Sequence, residues 1–244
     1  MNTPTKIAIV ALSLGLLTSA GLNFFLYQQG QKYYLLLNAT GLDPLGFNSY
    51  PNSAEKIQQP VIIFYGDSRA QSWPAPDQIK NVTIVNRGIG GQTTVQVLGR
   101  FQQHAASLKP RIIVIQVGVN DLKAIPLFPG QKEAIIGNCQ TNIGQIVQKS
   151  LDTGAKVVVT TIFPLGTLPI ARRPFWSDDV AIALNDVNDY IKTLAGDRVI
   201  VFDSSQVLAN SQGIVDPKYS LDFLHINSEG YAALNKAIAG ILVP

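Results

Sequence analysis

Four short blocks in this chain have residue types and spacings suited to chemistry. Gly66-Asp67-Ser68 follows directly on the apolar run Val61–Tyr65, and Asn86-Arg87-Gly88-Ile89-Gly90-Gly91-Gln92-Thr93 begins where a second run, Val82–Asn86, ends. Gly118-Val119-Asn120-Asp121 follows a third run, and Asp222-Phe223-Leu224-His225 lies just before the last helical pattern. A serine hydroxyl is a poor nucleophile until a base takes its proton, and an imidazole does this near neutral pH. Asp222 and His225 are three apart, so on a helical turn they share a side and the carboxylate can hold the ring. Asp and Ser after a strand are by themselves ordinary turn and cap residues. Three strand ends and one Asp-x-x-His turn together point to a single site.

The elements that must position these blocks are legible as alternating patterns. Val61–Tyr65, Val82–Asn86, Ile112–Val117, Lys156–Ile162 and Val199–Phe202 are short, β-branched and almost continuously apolar, as strands covered on both faces are. Between them, Ile136, Cys139, Ile143, Ile146 and Val147 recur at helical spacing over Glu133–Leu151. Ile182, Leu184, Val187, Ile191 and Leu194 do so over Val180–Leu194, and a last helix starts near Ser228-Glu229 and runs through Tyr231, Leu234 and Ile238. Strand–helix alternation predicts an α/β domain, with helices on both faces of a parallel sheet. In such sheets ligands bind beyond the carboxyl ends of the strands, which is where the first three blocks stand.

With these blocks in this order over residues 61–235, the chain resembles the SGNH (GDSL-type) hydrolases and esterases. The resemblance implies a three-layer α/β/α sandwich of flavodoxin-like type, with five parallel strands in the order 2-1-3-4-5. It implies a serine esterase of the lipase/acylhydrolase class that cleaves carboxylic esters through an acyl-serine, with no metal and no cofactor. Ser68 is then the nucleophile, and Asp222 and His225 complete the triad. The oxyanion hole draws on the backbone amide of Ser68, that of a glycine and the side chain of Asn120. Gly88, Gly90 and Gly91 are close together, and the spacing from Asn86 selects Gly91. Arg69 departs from the family pattern, which has leucine there, and bears on the local pocket chemistry. The substrate classes implied are a small ester, a lipid or an acetylated carbohydrate. If a sugar hydroxyl instead of water resolves the acyl-enzyme, the alternative is an O-acyltransferase that moves an acetyl group to a cell-envelope carbohydrate.

Composition removes other classes. Of 244 residues 46% are hydrophobic and 14% charged, against roughly 25% charged in average chains, which argues against disorder. One cysteine excludes an intrachain disulfide, and with only two histidines it also excludes thiolate- or histidine-rich metal sites. The net charge of +3 comes without a Lys/Arg block, so nucleic acid is not an expected partner. Gly88-Ile89-Gly90 has the look of a dinucleotide loop, but no Asp or Glu occurs between Asp77 and Asp121 to take the ribose. There is no G-x-S-x-G elbow of the α/β-hydrolase kind. Cys139, at an apolar helical position, is expected to be buried and inert; His104, in Gln102-Gln103-His104, to be solvated; Asp121 to be a cap or loop anchor. Gly88 is expected to supply a positive φ to its loop. Arg172 and Arg173 read first as solvated, and second as contacts for an anionic acyl donor or lipid headgroups, with Phe175 and Trp176 as an apolar lip.

The N-terminal stretch belongs to a membrane. Residues 7 to 27 run uncharged between Lys6 and Lys32, about the 20 residues needed to cross a bilayer as a helix. The expected organisation is a signal anchor over 1–30, a connector over 31–58 broken by Gly41, Pro44, Gly46, Pro51 and Asn52, and a catalytic domain over 59–244. Positive charge before the apolar run weakly favours N-inside, which puts the domain outside the cytoplasm. Small residues at Thr18-Ser19-Ala20 offer cleavage as the alternative, giving a secreted enzyme. Phe24 to Tyr27 continue the apolar run past that point, as in an anchor. The oligomeric state is not legible.

Overall fold

The five apolar runs become five strands of one sheet in the computed structural model, which describes residues 2–50, 57–77 and 79–242. They are β1 (Val61–Gly66), β2 (Thr83–Gly88), β3 (Ile112–Gln116), β4 (Lys156–Thr160) and β5 (Val199–Phe202). All neighbours are parallel, in the order β2-β1-β3-β4-β5, with Ile63 beside Val85 on one side and Ile113 on the other. The expected order and three layers are therefore found.

The helices are α1 (Thr3–Leu42), α2 (Ser68–Gln71), α3 (Thr94–Gly99), α4 (Phe101–His104), α5 (Val119–Leu122), α6 (Lys132–Asp152), α7 (Asp179–Thr193), α8 (Ser205–Leu208) and α9 (Ser228–Ile238). Alternate residues of each central strand feed two separate cores. Ile63, Ile113 and Val157 pack with Val97, Ile143 and Val187 from α3, α6 and α7. Ile62, Val114 and Val158 pack with Trp73, Leu208, Leu234 and Ile238 beneath α8 and α9. Covering both faces is what makes β1 and β3 almost continuously apolar, since none of their side chains faces water, whereas the edge strands β2 and β5 are only partly buried. Removing each such side chain from water is worth about 1.5–3 kcal/mol.

The chain divides into two compact units, residues 1–44 and 45–244. The first is α1, 40 residues with none buried, capped by the Asn2 side chain and about 60 Å long at 1.5 Å per residue. It is long and apolar enough to cross a membrane. The helix does not stop near residue 30 as the connector reading expects. Gly30 and Gly41 each cost only about 1 kcal/mol in a helix, and Leu35–Leu37 between them favour it. Asn38 and Thr40 bond back to the carbonyls of Tyr34 and Leu36 at 2.8 and 2.9 Å. Pro44, which has no N–H to donate, follows the end. Pro51 and Asn52 lie outside the described residues.

In the second unit His104 is 1% exposed, which corrects its reading as a surface residue. Residues 45–50 cover it. Its ring meets Phe47 and Tyr50 edge-on, and Nε2 lies 3.2 Å from the Phe47 carbonyl oxygen. The polar neighbours Gln102 and Gln103 mislead because the cover arrives from 54 or more residues away in sequence. Cys139 is buried beneath the sheet, and burial pushes its thiol pKa up.

Candidate active site

β1 and β3 are neighbours whose onward connections leave in opposite directions, so their carboxyl ends form the crevice of the sheet. Ser68 begins α2 at the end of β1, and Asn120 lies in α5 beyond β3. Gly66 makes the first turn feasible. Its φ is +152°, and a Cβ there would overlap the backbone carbonyl of Gln116. Asp67 then caps α2 by accepting the Arg69 N–H at 2.8 Å.

The Asp-x-x-His turn brings its residues to the same place. Asp222 Oδ1 accepts the backbone N–H groups of Leu224 and His225, both at 2.7 Å, so the carboxylate shapes its own turn. Its Oδ2 lies 2.9 Å from His225 Nδ1, and His225 Nε2 lies 3.0 Å from Ser68 Oγ. Burial works to raise the pKa of Asp222, but the hydrogen bonds from the His225 ring and the two backbone N–H groups together hold it below the ordinary value. With a carboxylate on Nδ1, the imidazole carries its proton there and presents a bare Nε2 to the hydroxyl.

The second and third blocks meet each other. Gly91 has φ +77°, with nothing within 4 Å of the Cβ it lacks, so it is the loop's left-handed residue. Gly88 is not, contrary to expectation; a Cβ there would overlap the backbone of Gln71, so its role is to let β2 and α2 approach closely. A Cβ on Gly90 would sit 3.8 Å from that of Ser68, which puts the glycine loop beside the serine. Asn120, 6% exposed, donates from Nδ2 to the Gln92 carbonyl at 2.9 Å, leaving a second Nδ2–H for another acceptor. Asp121 accepts from the Thr94 N–H at 2.9 Å and the Thr94 hydroxyl at 2.6 Å, the anchoring role expected of it.

Buried arginines and residues 45–50, to which the sequence reading gave no such role, hold this arrangement. Arg69 is fully buried; Nε donates to the Leu224 carbonyl at 2.8 Å and Nη1 to the Phe163 carbonyl at 3.0 Å. Burial brings Arg69 down to about 10, against the pull of the Asp67 charge, and pushes the buried Asp67 carboxyl up to about 6 despite Arg69. Tyr231 of α9 donates to the Arg69 carbonyl at 2.9 Å. Residues 45–50 brace the glycine loop from outside. Gln92 Nε2 donates to the Leu45 carbonyl at 2.9 Å, the Tyr50 hydroxyl donates to the Gly88 carbonyl, and the Arg87 guanidinium lies 4.6 Å over the Tyr50 ring. Behind the loop, Arg100 donates to Gln92 Oε1 at 2.6 Å and to the carbonyls of Arg87 and Gly66, both at 2.8 Å. Charge-assisted bonds of this kind could be foreseen only from the pairing, since nothing local marks Arg69 or Arg100 as buried.

A cleft of about 430 Å³ opens beside His225, lined by Lys123, Leu127, Arg172, Phe175, Trp176 and Phe223 among others. Arg172 and Trp176 are thus at the site, each against Phe223, while Arg173 does not line the cleft. Among the described residues no three of His, Cys, Asp and Glu are grouped to hold a metal ion.

The profile of the GDSL-like lipase/acylhydrolase family matches residues 58–233. The chain belongs to this family. As a GDSL-like acylhydrolase it is a hydrolase that acts on ester bonds. It is 27% identical over 197 residues to the platelet-activating factor acetylhydrolase IB subunit alpha1 of Rattus norvegicus, covering 77% of each chain. Its fold is shared with a GDSL-like lipase from Bacteroides thetaiotaomicron, at 22% identity and a TM-score of 0.64 over 81% of this chain and 97% of that one. It is shared too with an acetylxylan esterase from Geobacillus stearothermophilus, at 16% identity and a TM-score of 0.53 over 77% and 96%.

Proposed function

We propose that this GDSL-like acylhydrolase is a serine esterase working through an acyl-Ser68 intermediate. The observation that carries the reading is the chain of contacts from Ser68 Oγ to His225 at 3.0 Å and from His225 to Asp222 at 2.9 Å. In the first half-reaction Ser68 Oγ attacks the ester carbonyl carbon while His225 Nε2 takes its proton. Asp222 keeps the ring in the right tautomer and stabilises the imidazolium. The backbone N–H groups of Ser68 and Gly91 and the free Nδ2–H of Asn120 are the donors for the tetrahedral oxygen, each worth roughly 3–4 kcal/mol. Collapse breaks the bond to the alcohol, which leaves with the proton from His225. Water, deprotonated by His225, then attacks the acyl carbon and frees Ser68. No step needs a metal. In the test, purified protein hydrolyses short acyl esters in the presence of EDTA, and Ser68→Ala lowers kcat by several orders of magnitude with its melting temperature kept. Activity surviving in Ser68→Ala would defeat the reading. Release of free acid when a sugar acceptor is present, in place of an acylated sugar, separates hydrolysis from acyl transfer.

The apolar surface of α1 supports an anchor role for the N-terminal unit, with residues 45–244 on the extracytoplasmic side. Full-length protein is then expected to stay with membranes through alkaline washing and to be released by detergent. A mature N-terminus at Gly21 would show cleavage instead. Digestion of the domain by protease added to intact spheroplasts tests the side.

A further inference from the structure

Two cations at the mouth of the cleft have no partner in the proposed chemistry. Lys123 and Arg172 line it together with His225, and among the described residues neither forms an ion pair with a carboxylate. The nearby acids already have partners. Asp222 is held by His225, Asp121 by Thr94, and Asp67 is sealed in the interior next to Arg69. Burial lowers the pKa of Lys123, with the Arg172 and Arg69 charges acting in the same direction and Asp67 against. A half-buried ammonium with no carboxylate in contact with it gains from an anion that enters the cleft. Asp222 lines the cleft beside His225, and the remaining lining is apolar and open to solvent: Leu127 is 62% and Phe175 67% exposed. Large exposed apolar groups around charged ones are what an amphiphilic ligand requires.

We propose that the preferred ester is an amphiphile with an anionic group, a phosphate or a carboxylate, bound by Lys123 and Arg172 while Leu127, Phe175 and Trp176 take its apolar part. The proposal rests on the acyl-serine reading and names its substrate class. The Arg172 guanidinium lies over the Phe223 ring, 5.7 Å from its centroid, a cation–π contact that leaves its N–H donors available to a bidentate anion.

The test uses full-length protein in neutral detergent and two matched pairs of esters. One pair is 4-nitrophenyl hemiglutarate against 4-nitrophenyl butyrate, with the charge on the acyl side. The other is 1-butanoyl-glycerol 3-phosphate against monobutyrin, with the charge on the alcohol side as in a lipid headgroup. At least one anionic member is expected to exceed its neutral partner about tenfold in kcat/KM, the scale of two half-exposed charge contacts. In a Lys123→Gln, Arg172→Gln double variant that ratio falls to about one, Arg172→Lys keeps most of it, and added salt lowers it in the parent. Neutral partners cleaved as fast as both anionic ones would overturn the proposal and leave the esterase reading intact, as would a ratio unchanged in the double variant. If no ester of either pair is cleaved any faster than by Ser68→Ala, the acyl-serine reading fails and this proposal with it.

Discussion

The Arg69 side chain donates from Nε to the carbonyl oxygen of Leu224 at 2.8 Å, so the residue after Ser68 grips the turn that carries Asp222 and His225. Ser68 and His225 are 157 positions apart, and a buried guanidinium with two backbone carbonyl acceptors is a stiff way to fix their separation. Misplacement of a reacting group by about 1 Å can cost 10²-fold in rate. Arg69→Met is therefore expected to lower kcat by about 10- to 100-fold with little change in KM. Arg69→Lys, which keeps the charge but carries its donors on a single nitrogen, should recover part of it. A KM effect without a kcat effect would place Arg69 in substrate binding instead.

Asn120→Ala removes the side-chain donor and also its bond to the Gln92 carbonyl. The expected loss is about 10²–10³ in kcat, less than for Ser68→Ala, with the fold retained. Steady-state kinetics beside a thermal melt measures both.

Residues 45–50 precede the stretch matched by the family profile, yet they brace the glycine loop through Leu45 and Tyr50. A chain beginning at residue 45 should keep full esterase activity, whereas one beginning at residue 58 should lose about tenfold in kcat through a looser Gly91. Equal rates from the two would show that the loop holds itself.

Asp67 gives stability a pH dependence whose sign follows from its raised pKa. Between the unfolded value near 4 and the folded value of about 6, the native carboxyl holds a proton that the unfolded chain has lost. Its contribution is complete below pH 4 and disappears as pH rises through 6, a change of about 3 kcal/mol at most for two units. Urea titrations from pH 4 to 8 should show the parent losing stability relative to Asp67→Asn, with the difference levelling off above pH 7. A flat difference would mean that Asp67 is ionised throughout.

The parts of this molecule that were legible in the sequence are those set by neighbours in the chain. Ile112–Gln116 is a strand because both its faces are covered, and continuous apolarity records that directly. Asp222 and His225 meet because a single turn joins them. What was hidden depends on partners far away. His104 is buried by Phe47 and Tyr50, and Arg69 by Leu224 and Phe163, contacts that no local pattern announces. The helix past residue 30 is hidden for another reason: glycines weaken a helix without ending it, and this one runs on to Leu42, just short of Pro44.

The turn at Asp222 makes two of the three members of the proposed relay into one rigid piece. Since the carboxylate is bonded both to the His225 ring and to the N–H groups of its own turn, acid and imidazole travel together. Breathing of the fold then has one joint to act on, the gap between Ser68 and His225. Temperature, solvent or a docked substrate would register there as a single coordinate, a hydroxyl proton sometimes within reach of Nε2 and sometimes not.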